Sequence, residues 1–161
     1  MPVKDLVAGL AAGAVGTTAL NITTYLDMAL RGRSPSSIPE EAVKKFGESV
    51  GIRIAPREGE PKEVNEKAAN RQSALGALAG FATGLTVGAL YGIARSRAAS
   101  MSLPAGAFAA GLGAMAFSDV PLVASGLTDP REWGAAGLAS DLVPHLAYGF
   151  FTALSFDALR R

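Results

Sequence analysis

Five polar side chains recur at helical spacing in the last apolar stretch of the chain, and they are the residues best placed for chemistry. They are Asp141, His145, Tyr148, Thr152 and Ser155, at intervals of 4, 3, 4 and 3 residues. At about 100° per residue, all five fall within roughly 40° of one line along a helix. Such a polar stripe on a membrane helix faces other helices or a water-filled cavity, and proton relays, ion paths and ligand sites are built this way.

The same stripe also has a structural interpretation, which we favour. Asp141 then caps the last helix with Pro144 in its first turn, and His145 lies near the lipid headgroups. The three remaining polar residues then only hydrogen-bond neighbouring helices. A substrate or ion role for the stripe stays open as the alternative.

A further candidate is Asp119, which lies in an apolar run two residues before Pro121. An acidic side chain there is costly unless it is paired or hydrated, and a helix broken by proline beside it suits cation or substrate binding. Alternatively, the helix ends near Phe117, and Asp119 belongs to a hydrated turn. If Asp119 met Asp141 and His145, the three groups could hold a divalent metal ion, but we assign no metal site.

The element that must position these groups is a ladder of glycines in residues 74–94. Interior glycines cost a soluble helix roughly 0.5–1 kcal/mol each relative to alanine, whereas a bilayer enforces the helix and small residues let a neighbour approach closely. We therefore expect a transmembrane helix whose glycines pack against other helices. The predicted packing positions are Gly76, Gly80, Gly84, Gly88 and Gly92, with Gly9 and Gly13 as a shorter version near the start of the chain.

The apolar segments together predict an all-α, polytopic membrane protein with four transmembrane helices in a Gly/Ala-packed bundle. Their approximate bounds are residues 6–30, 74–94, 103–125 and 141–159, in a single membrane domain over 1–161. The first segment is longer than the apolar core of a signal peptide, so we expect it to be a retained helix. Ion pairs are predicted at Asp27 with Arg31, and at Asp157 with Arg160 and Arg161.

A polar linker, residues 34–73, separates the first two spans and holds most of the charge. Residues 38–50 predict a short amphipathic helix, with Ser37 and Glu40 as a capping box and Gly51 as the C-cap. This helix is too short to span a bilayer, so we expect it to lie at the interface or to dock on the bundle. Its apolar stripe consists of Ala42, Val43, Phe46 and Val50.

Composition excludes several classes of function. The net charge of +1 leaves no broad basic surface for nucleic acid, the absence of cysteine excludes thiol chemistry, and one histidine excludes a His-rich metal site within one chain. The chain has no P-loop, no dinucleotide fingerprint and no HExxH or GxSxG motif. We therefore expect neither an enzyme nor a bound cofactor.

Four spans place both termini on one side of the membrane. Lysines and arginines number ten on the linker side, with nine between Arg31 and Arg71 plus Arg131, against five on the terminal side. That count favours a cytoplasmic linker. The five charges on the terminal side lie tightly against segment ends, and on that ground we favour cytoplasmic termini.

Two short sequence similarities complete the pattern. Within the chain, Ser118-Asp119 before Pro121 resembles Ser140-Asp141 before Pro144. The pattern H-x-x-Y-G that begins at His145 resembles the ending of small bacterial membrane proteins of the YagU-like group. Residues 23–33 and 126–133 are similar to uncharacterised four-helix proteins of high-GC bacteria. The resemblance implies a multi-pass protein of the bacterial inner membrane and implies no activity.

Our first functional hypothesis is a non-enzymatic membrane module, either structural or partner-binding. Its partners would be the lipid bilayer and either a second copy or another membrane protein. The alternative is a small transporter or channel that uses the polar stripe together with Asp119. A membrane enzyme is the third and least supported class, because catalytic clusters are scarce.

Overall fold

The computed structural model describes residues 2–98 and 100–160. Within these ranges the chain forms five α-helices and, before the last of them, a single turn of 3-10 helix, Pro130–Glu132. Arg161, predicted as a partner of Asp157, lies outside the described residues. The helices are α1 (Pro2–Arg31), α2 (Ile38–Ser49), α3 (Lys62–Arg97), α4 (Leu103–Ala124) and α5 (Gly134–Leu159).

Four of the described helices, α1, α3, α4 and α5, are long and apolar enough to cross a membrane. The shortest is α4 with 22 residues. At about 1.5 Å per residue it extends about 33 Å, close to the roughly 30 Å of a hydrocarbon core. The predictions of an all-α fold and of helices able to cross a membrane four times are confirmed at this level.

The long helices run alternately up and down. α1 packs against both α3 and α5, α4 packs mainly against α5, and α4 contacts α3 more lightly. The start of α1 and the end of α5 therefore meet at one end of the bundle, which we call the terminal end. The connections on either side of α2 and between α4 and α5 lie at the other end, the linker end.

Helices α3 and α5 begin well before the predicted spans, and α1 begins slightly before its own. α3 begins at Lys62 rather than near residue 74, because the polar stretch before the glycines continues the same helix. Ion pairs at i,i+4 support this stretch, with Lys67 Nζ 2.7 Å from Glu63 Oε1. α5 begins at Gly134 rather than at residue 141. The prediction that Asp141 caps this helix is therefore wrong.

Prolines inside the helices do not end them. Pro121 lies within α4, which continues to Ala124, so Asp119 is a helical residue and not part of a hydrated turn. Pro144 lies within α5 rather than in its first turn. Such prolines are tolerated in a bundle because neighbouring helices and polar side chains can hydrogen-bond the backbone carbonyl that a proline leaves free.

The start of α2 differs from the predicted capping box. Ser37 makes no side-chain cap, and its hydroxyl donates instead to Glu41 Oε1 at 3.1 Å. Glu40 turns toward α3, where its backbone carbonyl accepts from Gln72 Nε2 at 2.9 Å and its carboxylate accepts from Ser73 Oγ at 3.1 Å. The contact with α3 thus replaces the local cap.

The end of α2 has the geometry of a Schellman motif. Gly51 has a φ of +74°, and its N–H donates to the Glu48 carbonyl at 3.2 Å. The N–H of Ile52 donates to the Gly47 carbonyl at 2.8 Å. A residue with a side chain is disfavoured at this positive φ, which explains the glycine.

Glycines set how closely α1 approaches α3. A Cβ atom built on Gly88 would lie 2.5 Å from the Cα of Gly13, and one built on Gly13 would lie 2.7 Å from the Gly84 carbonyl oxygen. Gly76 instead faces α2, where its Cβ would lie 3.2 Å from the carbonyl carbon of Pro39. Gly80 meets nothing within 4 Å. At the far end of the ladder, Gly92 also meets Phe156 of α5, so the ladder faces three neighbouring helices and leaves one position open.

A second close crossing, absent from the predicted packing positions, joins α4 to α5. A Cβ atom on Gly149 would lie 2.7 Å from the Cα of Gly111, and one on Gly111 would lie 2.7 Å from the His145 carbonyl oxygen. The available signal was the four-residue spacing of Ala107 and Gly111, together with a glycine directly after Tyr148.

Candidate functional site

The polar stripe of α5 faces the inside of the bundle, but its members have different surroundings. Tyr148 is 1% exposed and Thr152 is fully buried. Asp141 and His145, nearer the linker end, are half-buried, as is Ser155 toward the terminal end. The middle of the stripe is therefore dry, whereas its linker end is partly accessible.

Tyr148 binds the middle of the stripe to its neighbours. Its hydroxyl donates to the Gly84 carbonyl oxygen of α3 at 2.6 Å. A Cβ atom on Gly16 of α1 would lie 2.9 Å from its ring, so α1 also presses on it. Thr152, one turn further along α5, packs against Gly16 of α1, and its buried hydroxyl has no hydrogen-bond partner among the described residues. This part of the stripe is a contact among three helices.

The linker end of the stripe forms a cluster of titratable groups with α4, which we call the α4–α5 cluster. Nδ1 of His145 lies 2.8 Å from the Asp141 carbonyl oxygen and 3.3 Å from Asp141 Oδ1. Its Nε2 lies 3.4 Å from Ser118 Oγ, which in turn donates to Asp119 Oδ1 at 3.2 Å. The members are Ser118, Asp119, Asp141 and His145.

The two aspartates of the cluster occupy matching positions in a short internal repeat. Asp119 interacts electrostatically with both Asp141 and His145. Each aspartate directly follows a serine and precedes a proline, whose missing N–H frees a carbonyl one turn earlier. The cluster therefore lies where both helices have lost one internal hydrogen bond, and it unites three of the six predicted site residues.

Two carboxylates and one imidazole in an apolar span need a shared proton or a counter-ion, because isolated charges are costly there. In the described residues, no group of three or more His, Cys, Asp or Glu side chains is arranged to hold a metal ion. The cluster is accordingly suited to taking up and releasing protons or to attracting a cation.

A charged network adjoins the cluster at the linker end. Asp27 accepts from Arg31 Nη1 at 3.2 Å, as predicted, and also from Arg33 Nε at 2.5 Å. The sequence did not indicate Ser140, whose Oγ lies 3.1 Å from Asp27 and accepts from Arg31 at 2.7 Å. Because Ser140 precedes Asp141, this network ties α1 to the cluster.

The predicted pair of Asp157 and Arg160 is wrong. Asp157 instead lies 3.4 Å from Arg95 at the end of α3, and Arg160 lies 2.9 Å from Asp5 at the start of α1. The guanidinium of Arg160 also stacks 5.6 Å from the ring centre of Phe156. Both ionic groups find partners on other helices, which the local i,i+3 spacing cannot indicate.

Comparison with known proteins adds no relative. A scan against protein-family models finds no match, and searches of curated proteins and of solved structures find none either. The resemblance to the YagU-like group thus remains a prediction.

Proposed function

We propose that this chain is a non-enzymatic membrane module with a structural or partner-binding role, and that its glycines are the packing scaffold. The dry middle of the polar stripe carries the proposal. Tyr148 and Thr152 are buried, and the Tyr148 hydroxyl is already used by the Gly84 carbonyl. A helix face buried in this way, with the Tyr148 hydroxyl already bonded to a neighbouring helix, supports helix packing rather than conduction along the stripe.

The linker end supplies the surface for a partner. At about 1.5 Å per residue, the 36 residues of α3 extend about 54 Å, well beyond a hydrocarbon core of about 30 Å. Its first turns are charged and exposed, and α2 attaches to them through Glu40. We call α2 and residues 62–73 the handle, of which residues 62–73 extend α3 beyond its apolar part.

We further propose that the protein resides in the bacterial inner membrane with its termini in the cytoplasm. The positive charges beside the ends of α3 and α5 support this orientation. The larger number of basic residues on the linker side opposes it. The ion pairs of Asp157 and Asp5 with arginines at the terminal end also offset part of the positive charge there.

The module proposal predicts a stable assembly in mild detergent. Purified from its host membrane, the chain should migrate with a second copy or another membrane protein at fixed stoichiometry. Reversing the handle charges with Glu63→Lys and Glu66→Lys should weaken that assembly, because both side chains are exposed on α3. Native gels and analytical ultracentrifugation measure the change.

The matched control reverses a charge away from the handle, at the exposed Glu132 between α4 and α5, and should leave the assembly intact. A chain that migrates as a bare monomer, with no stoichiometric partner, would reject the module proposal.

A small transporter is the second candidate, and the α4–α5 cluster is the observation that favours it. Reconstituted in liposomes, such a protein would carry a proton or cation flux. Asp141→Asn or His145→Ala should abolish this flux while helix content stays unchanged, because each removes a carboxylate or an imidazole that can take up a proton or bind a cation. A pH-sensitive dye inside the liposomes reports the flux, and a flux that survives both substitutions would overturn the transport candidate.

A further inference from the structure

We infer that the second half of α2 rests on the membrane surface, inserts Phe46, Val50 and Ile52 among the lipids and binds anionic phospholipid headgroups. This goes beyond the module proposal, because it concerns how the handle meets the bilayer and not which protein it binds. The inference draws on three features: an apolar stripe that is only half covered, two tethers to the spans and a basic cavity beside them.

The apolar stripe of α2 is covered at its start and bare at its end. Ala42 and Val43 are half-buried. In contrast, Phe46 is 66% exposed, Val50 is 50% exposed and Ile52, just past the helix, is 59% exposed. Three large apolar side chains close together in the chain are therefore at least half exposed.

Two tethers hold this bare face close to the ends of the membrane spans. Near the start of α2, Pro39 packs on Gly76, where the apolar part of α3 begins. Further along, Lys45 Nζ donates to the carbonyl oxygen of Ser125, the residue that follows the last turn of α4. The two tethers bring α2 to the linker ends of α3 and α4, and Phe46, about 100° around the helix from Lys45, lies at that same end of the spans.

Basic side chains line a cavity beside α2. A cavity of about 200 Å³ opens between the 53–55 segment and α3, and Ile54 in its wall packs against Gly47 of α2. Arg53, Lys67 and Arg71 line it. Two of these have carboxylate neighbours, Glu60 at 2.9 Å from Arg53 and Glu63 at 2.7 Å from Lys67, and Arg71 adds a further positive charge.

An anionic lipid surface fits these features better than another protein does. Apolar side chains at the end of a short helix, with basic side chains beside them, are the pattern of helices that lie in the headgroup layer. Basic residues at a membrane surface attract anionic headgroups. The bilayer adjoins this face through the spans, so no further partner has to be recruited to cover it.

A tryptophan in place of Phe46 tests the inference. In a Trp133→Phe background, Phe46→Trp is reconstituted in vesicles of phosphatidylcholine, with and without phosphatidylglycerol, that carry lipids brominated near the headgroup. We expect blue-shifted emission and about two-fold or greater quenching, strengthened by phosphatidylglycerol and weakened by salt. Adding Arg71→Glu should remove the phosphatidylglycerol effect.

Glu48→Trp, on the exposed charged side of α2, is the matched control and should stay unquenched. Ile52→Trp, outside the helix, repeats the measurement if the substitution at residue 46 disturbs folding. Water-like emission at both positions would overturn the inference. Blue-shifted emission that depends on protein concentration and not on brominated lipid would also overturn the inference, because a second copy of the chain would then cover this face. Equal quenching in the two kinds of vesicle would overturn the anionic headgroup preference.

Discussion

Gly88→Leu is expected to prevent the helix bundle from forming stably. A Cβ atom at this position would lie 2.5 Å from both the Cα and carbonyl oxygen of two α1 glycines, Gly13 and Gly9 respectively. These atoms are backbone, so relief requires α1 and α3 to move apart and to lose the contacts around the crossing. Overpacking costs about 1–3 kcal/mol where side chains can adjust, and we expect about 3 kcal/mol or more here. Unfolding in bicelles or mild detergent, followed by circular dichroism, measures the loss.

Gly80→Leu provides a control within the same ladder. Its Cβ atom would meet nothing within 4 Å. The substitution makes the same chemical change in the same helix and gains about 0.5–1 kcal/mol of helix propensity. We therefore expect this variant to be as stable as the parent or slightly more stable. Equal losses for Gly80→Leu and Gly88→Leu would contradict the α1–α3 crossing.

Hydropathy and glycine spacing were sufficient to predict the long helices, because both follow from the chemistry of lipid. A segment can cross a bilayer only if its backbone groups are hydrogen-bonded within the segment, so a sufficiently long apolar run by itself indicates a transmembrane helix. The ends of the helices were harder to predict. Both α3 and α5 extend past their apolar parts. The added turns begin at Lys62 in α3 and at Gly134 in α5, and they are helical because they continue a helix that the adjacent apolar residues already form. Hydropathy carries no signal for such an extension.

The candidate site was predictable in its residue types and not in its arrangement. Helical spacing placed Asp141 and His145 on one face, but their meeting with Ser118 and Asp119 depends on how α4 crosses α5. The same limit explains the wrong partner for Asp157. A local spacing reports which side chains are near each other on one helix, whereas Arg95 approaches from another.

Tyr148→Ala is expected to destabilise the bundle strongly, and Tyr148→Phe only mildly. Tyr148 is 1% exposed and packs against α1 and α3, so truncation leaves a cavity between three helices. Truncating a large buried side chain to alanine costs about 3–5 kcal/mol in well-packed interiors. Tyr148→Phe keeps the ring and removes only the hydrogen bond to Gly84, which is worth about 1 kcal/mol inside a membrane. Unfolding free energies in bicelles measure both.

Phe108→Ala is the matched control, because it also removes an aromatic ring from a membrane span. Phe108 is 58% exposed on α4, so lipid can fill the space that its ring leaves. If Tyr148→Ala and Phe108→Ala lose stability equally, the middle of the polar stripe is not a dry contact.

The Tyr148 substitutions also distinguish the module from the transporter, because a Tyr148 with a structural role tolerates phenylalanine at a small cost in stability. If the well-folded Tyr148→Phe variant instead loses a measured proton or cation flux, its hydroxyl belongs to a transport path and the transporter candidate gains over the module.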